Sequence, residues 1–143
     1  MVAAGEFQRY LSQMIIRFYS SHKTGYPAKI ENLLIENFAD QVVEIYRDPN
    51  RIVHSYKIPG GDRAAALLVM EGPDELRFFA DRGDLLCESA SRIIVVSTMQ
   101  TKNALRMVHH LRPSFIHRKG DNLETLAAVL NKVIYEEERT SDV

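Results

Sequence analysis

Apolar residues near the start of the chain recur at intervals of three and four, which predicts an amphipathic helix over residues 5–21. Its apolar stripe consists of Phe7, Tyr10, Leu11, Met14, Ile15 and Phe18. Pro27 suits the first turn of a second helix, which should end near Asp40. Because the first stripe is wide for a single core face, we expect it to bind a protein partner or a second copy of the chain.

Four apolar runs in the middle of the chain are separated by clusters of turn residues. The runs are residues 42–46, 52–58, 64–70 and 76–80. The clusters contain the proline, glycine and asparagine residues that tight reversals require, and they are residues 48–50, 59–62 and 72–74. This pattern predicts an antiparallel β-meander.

The last part of the chain is predicted to form strand, helix, strand and helix. Residues 92–97 form a β-branched run typical of a strand buried on both faces, and residues 114–117 are a weaker second run. Asp121 and Glu124 have the spacing of a capping box before a last helix. That helix carries Leu123, Leu126, Ala127, Leu130, Val133 and Ile134.

The predicted fold class is therefore α+β, or mixed α/β, in one globular domain over residues 1–143. Two N-terminal helices come first, the antiparallel meander follows, and a βαβα unit ends the chain.

The composition excludes several classes of protein. With 143 residues, 45% apolar residues and a net charge of −1, the chain suits a soluble globular domain and excludes a uniformly basic nucleic-acid binder. The single cysteine, Cys87, cannot form an intramolecular disulfide, and no Cys/His spacing resembles a zinc site. No apolar run is long enough to span a membrane. We expect a cytoplasmic protein that has no cofactor or metal and does not bind a membrane.

Candidate chemistry gathers where the two C-terminal strands end. A right-handed crossover makes these strands parallel, so their C-terminal ends should share one edge of the sheet. Ser97, Thr98, Arg118 and Lys119 would meet there, with Lys102 on the intervening helix. Helix N-termini would add unpaired N–H groups, so the pattern predicts an anion site for phosphate or carboxylate. The alternative interpretation is a hydroxyl helix cap beside solvated cations.

This βαβα unit resembles the last half of a response-regulator receiver domain, with Ser97 or Thr98 and Lys119 at the matching strand ends. The resemblance covers only the last third of the chain. It implies a phosphoacceptor strand and an acidic cluster upstream, where the pattern predicts a meander instead. Phosphotransfer is therefore not expected.

A second resemblance involves Asp62 and Glu75, which could hold Mg²⁺ beside a scissile phosphate if they lay side by side. With Arg77 near by, this part is similar to the restriction-endonuclease-like fold, whose order of helix, three-strand meander, helix and strand agrees with the predicted elements. That family has a lysine where Arg77 stands. The alternative is that both carboxylates are exposed turn residues.

The sequence contains no complete catalytic set, which favours a small intracellular, non-enzymatic binding or regulatory subunit that acts through protein contacts. Such a subunit is expected to form a homo-oligomer or to bind another protein. One alternative is a metal-dependent nuclease or a degenerate relative of one. The other is a nucleic-acid-binding accessory protein that uses the basic segment 102–119; this is possible but not favoured, because the segment is short.

Overall fold

Strands and helices alternate along the chain in the computed structural model, which describes residues 15–58, 64–99 and 101–141. The strands are β1 (Ile15–Tyr19), β2 (Val42–Tyr46), β3 (Ala65–Met70), β4 (Ile93–Ser97) and β5 (Phe115–Arg118). The helices are α1 (Tyr26–Asn37), α2 (Pro49–Ser55), α3 (Pro73–Asp81), α4 (Gly83–Ser89), α5 (Lys102–His109) and α6 (Leu123–Ser141). None of the described helices is both long and apolar enough to cross a membrane.

The strands form one five-stranded sheet in the order β2-β1-β3-β4-β5. All four strand pairings are parallel. Each parallel connection requires a crossover, and the crossovers place helices on both faces of the sheet. β3 lies at the centre, and each of its residues is buried. The architecture is therefore a doubly wound parallel α/β sheet rather than an α+β meander.

Two apolar clusters form the core, one on each face. On one face, α1 and α6 cover the sheet through Ile30, Leu34, Leu126 and Leu130. The other face is covered by α2, α3, α4 and α5, with side chains that include Ile52, Leu76, Phe79, Leu86 and Val108. The inner strands β1, β3 and β4 are thus removed from water on both faces, which is the arrangement that parallel sheets need.

The predicted N-terminal helix is wrong over the residues that the structure describes. Ile15 and Phe18 belong to β1, the second strand of the sheet, and Phe18 is completely buried. A strand that is covered on both faces carries apolar residues on both, as β1 does apart from Arg17, and such a run also fits the spacing of a helix. Phe18 is therefore a core residue and not part of a surface for a partner. The other residues of the predicted stripe, Phe7, Tyr10, Leu11 and Met14, lie outside the described residues.

The predicted antiparallel meander is also wrong. Residues 42–46 and 65–70 are strands, but the other two runs lie in α2 and α3 or directly after them. Pro49 and Pro73 stand in the first turns of those helices, a position that tolerates the missing N–H of proline. The Asp48 carboxylate accepts a hydrogen bond from the Asn50 N–H at 2.9 Å and caps α2. These residues start helices and do not reverse strands.

Candidate functional site

The C-terminal edge of the sheet brings together most of the residues predicted for the anion site. Met70 is in register with Ser97, and Ser97 is in register with Arg118. Two hydrogen bonds extend the alignment beyond the strands: the Thr98 N–H donates to the Met70 carbonyl at 3.3 Å, and the Lys119 N–H donates to the Ser97 carbonyl at 3.1 Å. The ends of β3, β4 and β5 therefore meet at one edge, where open α/β sheets bind ligands.

The hydroxyl of Ser97 is buried and already bonded at this edge. It donates to the Met99 carbonyl and accepts from the Met99 N–H, both at 3.1 Å. The helix cap considered for Ser97 or Thr98 belongs instead to Thr101, whose hydroxyl accepts from the Ala104 N–H at 3.1 Å. Ser97 therefore shapes the loop after β4.

Three cations of the predicted site, Lys102, Arg118 and Lys119, have exposed side chains. None of the three forms an ion pair with another described residue. Asp121 accepts a hydrogen bond from the Arg118 N–H at 2.9 Å, and its carboxylate thus stays next to the end of β5. The capping box predicted for α6 is replaced by Asn122, whose side-chain oxygen accepts from the Glu124 N–H at 2.9 Å.

The two carboxylates near the end of β3 are held by other side chains. The Tyr19 hydroxyl donates to Glu75, and His22 Nδ1 lies 2.7 Å from Glu71 Oε2. The Glu71 N–H also donates to Glu75 at 3.4 Å. Burial, together with the bond to Glu75, raises the pKa of Tyr19, so its phenol remains a neutral donor. Met70, the last residue of β3, is completely buried.

A further cation lies beside the loop after β1. The Arg47 guanidinium donates to the Ser20 carbonyl at 3.3 Å and the His22 carbonyl at 3.2 Å, and it bonds to Glu31 at 2.6 Å. Its charge opposes the binding of a metal cation near this loop. The sequence interpretation missed Arg47, Tyr19, His22 and Glu71, because no motif marks pairs that form only when the strands align.

The residues at this edge do not fit the magnesium site that a phosphorylated carboxylate requires. Mg²⁺ is held by several oxygen ligands, usually with one or two carboxylates among them. The strand ends instead carry Ser20 and Met70, while Glu71 and Glu75 are hydrogen-bonded to other residues. Among the described residues, no three His, Cys, Asp or Glu side chains are grouped so as to hold a metal ion.

The nuclease interpretation loses its structural basis. It required an antiparallel meander, whereas the sheet is parallel. Glu75 lies in the first turn of α3, where its carboxylate accepts from Tyr19, and Arg77 is exposed on the same helix. Asp62 lies outside the described residues.

His117, which lies on β5 beside Arg118, is completely buried. Its Nε2 lies 2.5 Å from the Tyr26 hydroxyl, and the two rings are stacked at an interplanar angle of 10°. Burial lowers the pKa of His117, while the nearby Asp121 acts in the opposite direction. Burial therefore favours the neutral imidazole, and the hydrogen bond between His117 and Tyr26 links β5 to α1.

No protein-family model and no curated protein matches the sequence. Several solved structures are similar in fold. A CheY-like response regulator from Mesorhizobium loti has a TM-score of 0.62 at 16% identity, over 87% of this chain and 98% of that one. A response-regulator receiver domain from Rhodospirillum rubrum has a TM-score of 0.58 at 14% identity, over 91% and 95% of the two chains.

The signal receiver domain of a protein described as a LuxO repressor, from Vibrio parahaemolyticus, has a TM-score of 0.57 at 8% identity, over 90% of this chain and 95% of that one. At such identities the likeness establishes the fold alone. The sequence-based resemblance was limited to the last third of the chain, whereas the structural likeness extends through the strands upstream. The chain has the parallel α/β fold of receiver domains.

Proposed function

We propose that this chain is a regulatory module that acts through protein contacts and carries no phosphoryl group on a carboxylate. The observation that carries the proposal is that the carboxylates at the C-terminal edge of the sheet are bonded to other side chains. Glu75 accepts from Tyr19, and Glu71 pairs with His22. A receiver fold with this edge is suited to binding a partner rather than to accepting phosphate.

The chemistry of phosphoryl transfer supports this conclusion. A carboxylate that attacks a phosphoryl group needs a free oxygen and a cation that neutralises the charge of the transferred group. Recruiting Glu75 would leave the buried Tyr19 hydroxyl without its acceptor, and an unpaired buried hydroxyl costs about 1–3 kcal/mol. The buried thioether of Met70 cannot replace a carboxylate.

The cations at the same edge suggest what the partner presents. Lys102, Arg118 and Lys119 lie near the end of the parallel strands, so their charges are available to an anionic group of a partner. Arg118 and Lys119 are adjacent, and two cations attract one anion more strongly than either alone. We infer that Ser97 and Thr98 shape this surface through their loop, while the cations make the contact.

Incubation with acetyl phosphate and Mg²⁺, followed by mass spectrometry of the intact chain, tests the absence of a phosphoacceptor. We expect no phosphoryl adduct, whereas a receiver domain with a free acceptor carboxylate should be modified in the same mixture. A hydroxylamine-sensitive adduct at Glu71 or Glu75 would contradict the proposal.

The anion surface is tested with the double variant Arg118→Ala/Lys119→Ala and with inorganic phosphate as the probe. Calorimetry at low salt should show binding weakened by more than about tenfold, and the difference should shrink as ionic strength rises. Lys29→Ala/Arg77→Ala is the matched control, because it removes two exposed cations from α1 and α3. Equal affinity for both double variants would mean that Arg118 and Lys119 are only solvated side chains at the end of the strand and do not bind the anion.

A further inference from the structure

β2 is an edge strand of the sheet, because it pairs with β1 alone among the described strands. In a parallel pair, one residue directs both its N–H and its carbonyl at the neighbouring strand, and the next residue directs them away. The Tyr46 carbonyl accepts from the Ser20 N–H at 3.1 Å, so the backbone of Tyr46 faces β1. The backbone groups of Val43 and Ile45 therefore face outward, where no described strand pairs with them.

The two faces of this edge differ in chemistry. On the α1 face, Val43 packs against the core and Ile45 is 43% exposed. On the α2 face, the Arg17 guanidinium lies under the Tyr56 ring and bonds to Glu44 at 2.9 Å. A strand added along β2 would thus meet an apolar surface on the α1 face.

An open cavity of about 680 Å³ lies where β2 meets α2. Its wall includes the basic side chains Arg51, His54 and Lys57, together with Tyr46 from the end of β2 and with Ile58. None of the described residues that line it is a carboxylate. Arg51, His54 and Lys57 are exposed, and none forms an ion pair with a described residue. The cavity therefore favours a negatively charged occupant.

We propose that an extended, acidic segment of a partner protein binds along β2 as an added strand. Its backbone pairs with Val43 and Ile45, alternate apolar side chains pack on Ile45, and its acidic side chains reach the cavity beside Arg51 and Lys57. Main-chain pairing supplies affinity in this mode of recognition, and alternate side chains supply specificity. The inference rests on the proposed function only in assuming that the chain acts through protein contacts.

Charge distinguishes this partner from a second copy of the chain. The only carboxylate that a second β2 would bring to the edge is Glu44, which is already bonded to Arg17 and to the Tyr46 hydroxyl. Pairing with a second β2 would therefore bring no free carboxylate of that strand to the cations of the cavity, whereas an acidic segment would neutralise them.

The probe is a synthetic peptide of about six residues, the usual length of a strand, with alternating glutamate and valine. Nuclear magnetic resonance of the full chain should show slower amide exchange at Val43 and Ile45 on binding. Methylating the backbone nitrogens of alternate peptide residues removes the donors that face β2 and should weaken binding more than about tenfold. Equal affinity for the methylated and unmethylated peptides would overturn strand addition.

Variants of the protein test the charges and the edge separately. Arg51→Glu/Lys57→Glu should abolish binding of the glutamate peptide, whereas Lys29→Glu/Arg77→Glu, which reverses two exposed charges elsewhere, should not. Ile45→Pro removes an outward-facing donor while keeping the pairs with β1, and it should also weaken binding more than about tenfold. Unchanged binding by Arg51→Glu/Lys57→Glu, or tight binding of a lysine–valine peptide, would overturn the acidic partner.

Two further outcomes are decisive. Dimerisation through β2 that the peptide does not disrupt would show that the edge belongs to a second copy, and it would overturn this inference. A phosphoryl adduct formed from acetyl phosphate together with peptide binding at β2 would overturn the proposed function but support the edge site. If the peptide does not bind and no phosphoryl adduct forms, the edge site would be overturned and the proposed function supported.

Discussion

Gly83, the first residue of α4, lies so close to α5 that an added methyl group should destabilise the protein. A Cβ built at this position would lie 2.7 Å from the His110 carbonyl oxygen and 3.4 Å from its carbon. Both belong to the backbone, so no side chain can rotate away. The same interface is held by Cys87, whose thiol donates to the Leu111 carbonyl at 3.0 Å. The close approach of α4 to the end of α5 therefore depends on glycine.

The size of the effect follows from two opposing contributions. Replacing glycine by alanine at a position that fits it stabilises a protein by about 0.4–1 kcal/mol, because the unfolded chain loses freedom. Forcing extra atoms into a packed site costs about 1–3 kcal/mol. The contact at 2.7 Å with a fixed carbonyl makes the second contribution larger. We expect Gly83→Ala to lower the free energy of unfolding by about 1–2 kcal/mol.

Urea denaturation followed by circular dichroism measures this change. For a slope near 2 kcal/mol per molar urea, the midpoint should fall by about 0.5–1 M. Gly72→Ala is the control, because the nearest atom to its added Cβ would be Glu75 Oε1 at 4.0 Å. A midpoint for Gly83→Ala at or above that of the wild type would refute the close approach of α4 to α5.

Two more predictions concern the α1 and α6 face of the sheet. Leu126→Ala or Leu130→Ala should each destabilise the fold by about 2–5 kcal/mol, since both side chains are buried under α6, whereas the exposed Thr125→Ala should not. Unfolding midpoints measured in urea would check this, and unchanged midpoints would mean that α6 is peripheral. Burial lowers the pKa of His117, so the folded protein resists its protonation; the stability that this residue contributes is present above about pH 6.5 and decreases as the pH falls below it. Unfolding free energies measured between acid and neutral pH should decrease in this way in the wild type and in the control His109→Gln. The decrease should be smaller in His117→Phe. An equal dependence on pH in all three proteins would contradict the role given to His117.

Elements with strong local signals could be predicted from the sequence. The βαβα order of the last third follows from the β-branched run 92–97, the weaker run 114–117 and the apolar stripe of α6. Pro27 marked the start of α1 because a proline fits the first turn of a helix. The position of Arg118 and Lys119 beside the end of β4 also followed, since parallel strands joined by a crossover end at the same edge.

The fold of the middle of the chain, by contrast, depends on contacts between distant residues. Pro49 and Pro73 satisfy a β-turn and the first turn of a helix equally well, so their local sequence cannot choose between a meander and a parallel sheet. Phe18 could equally belong to a helical stripe or to a strand, and burial of β1 on both faces removes the alternation that would have distinguished them. Only the packing of helices on both faces made β1 a strand inside the sheet.

The hydrogen bonds of the carboxylates at the candidate site also depend on the tertiary structure. Tyr19 and Glu75 are 56 positions apart in the chain, and their hydrogen bond forms only because β1 and β3 are neighbours in the sheet. His22 reaches Glu71 for the same reason. Side chains that could bind a metal when considered one at a time are thus engaged with each other. A pattern of residue types does not contain this information, because pairing depends on which strand ends meet.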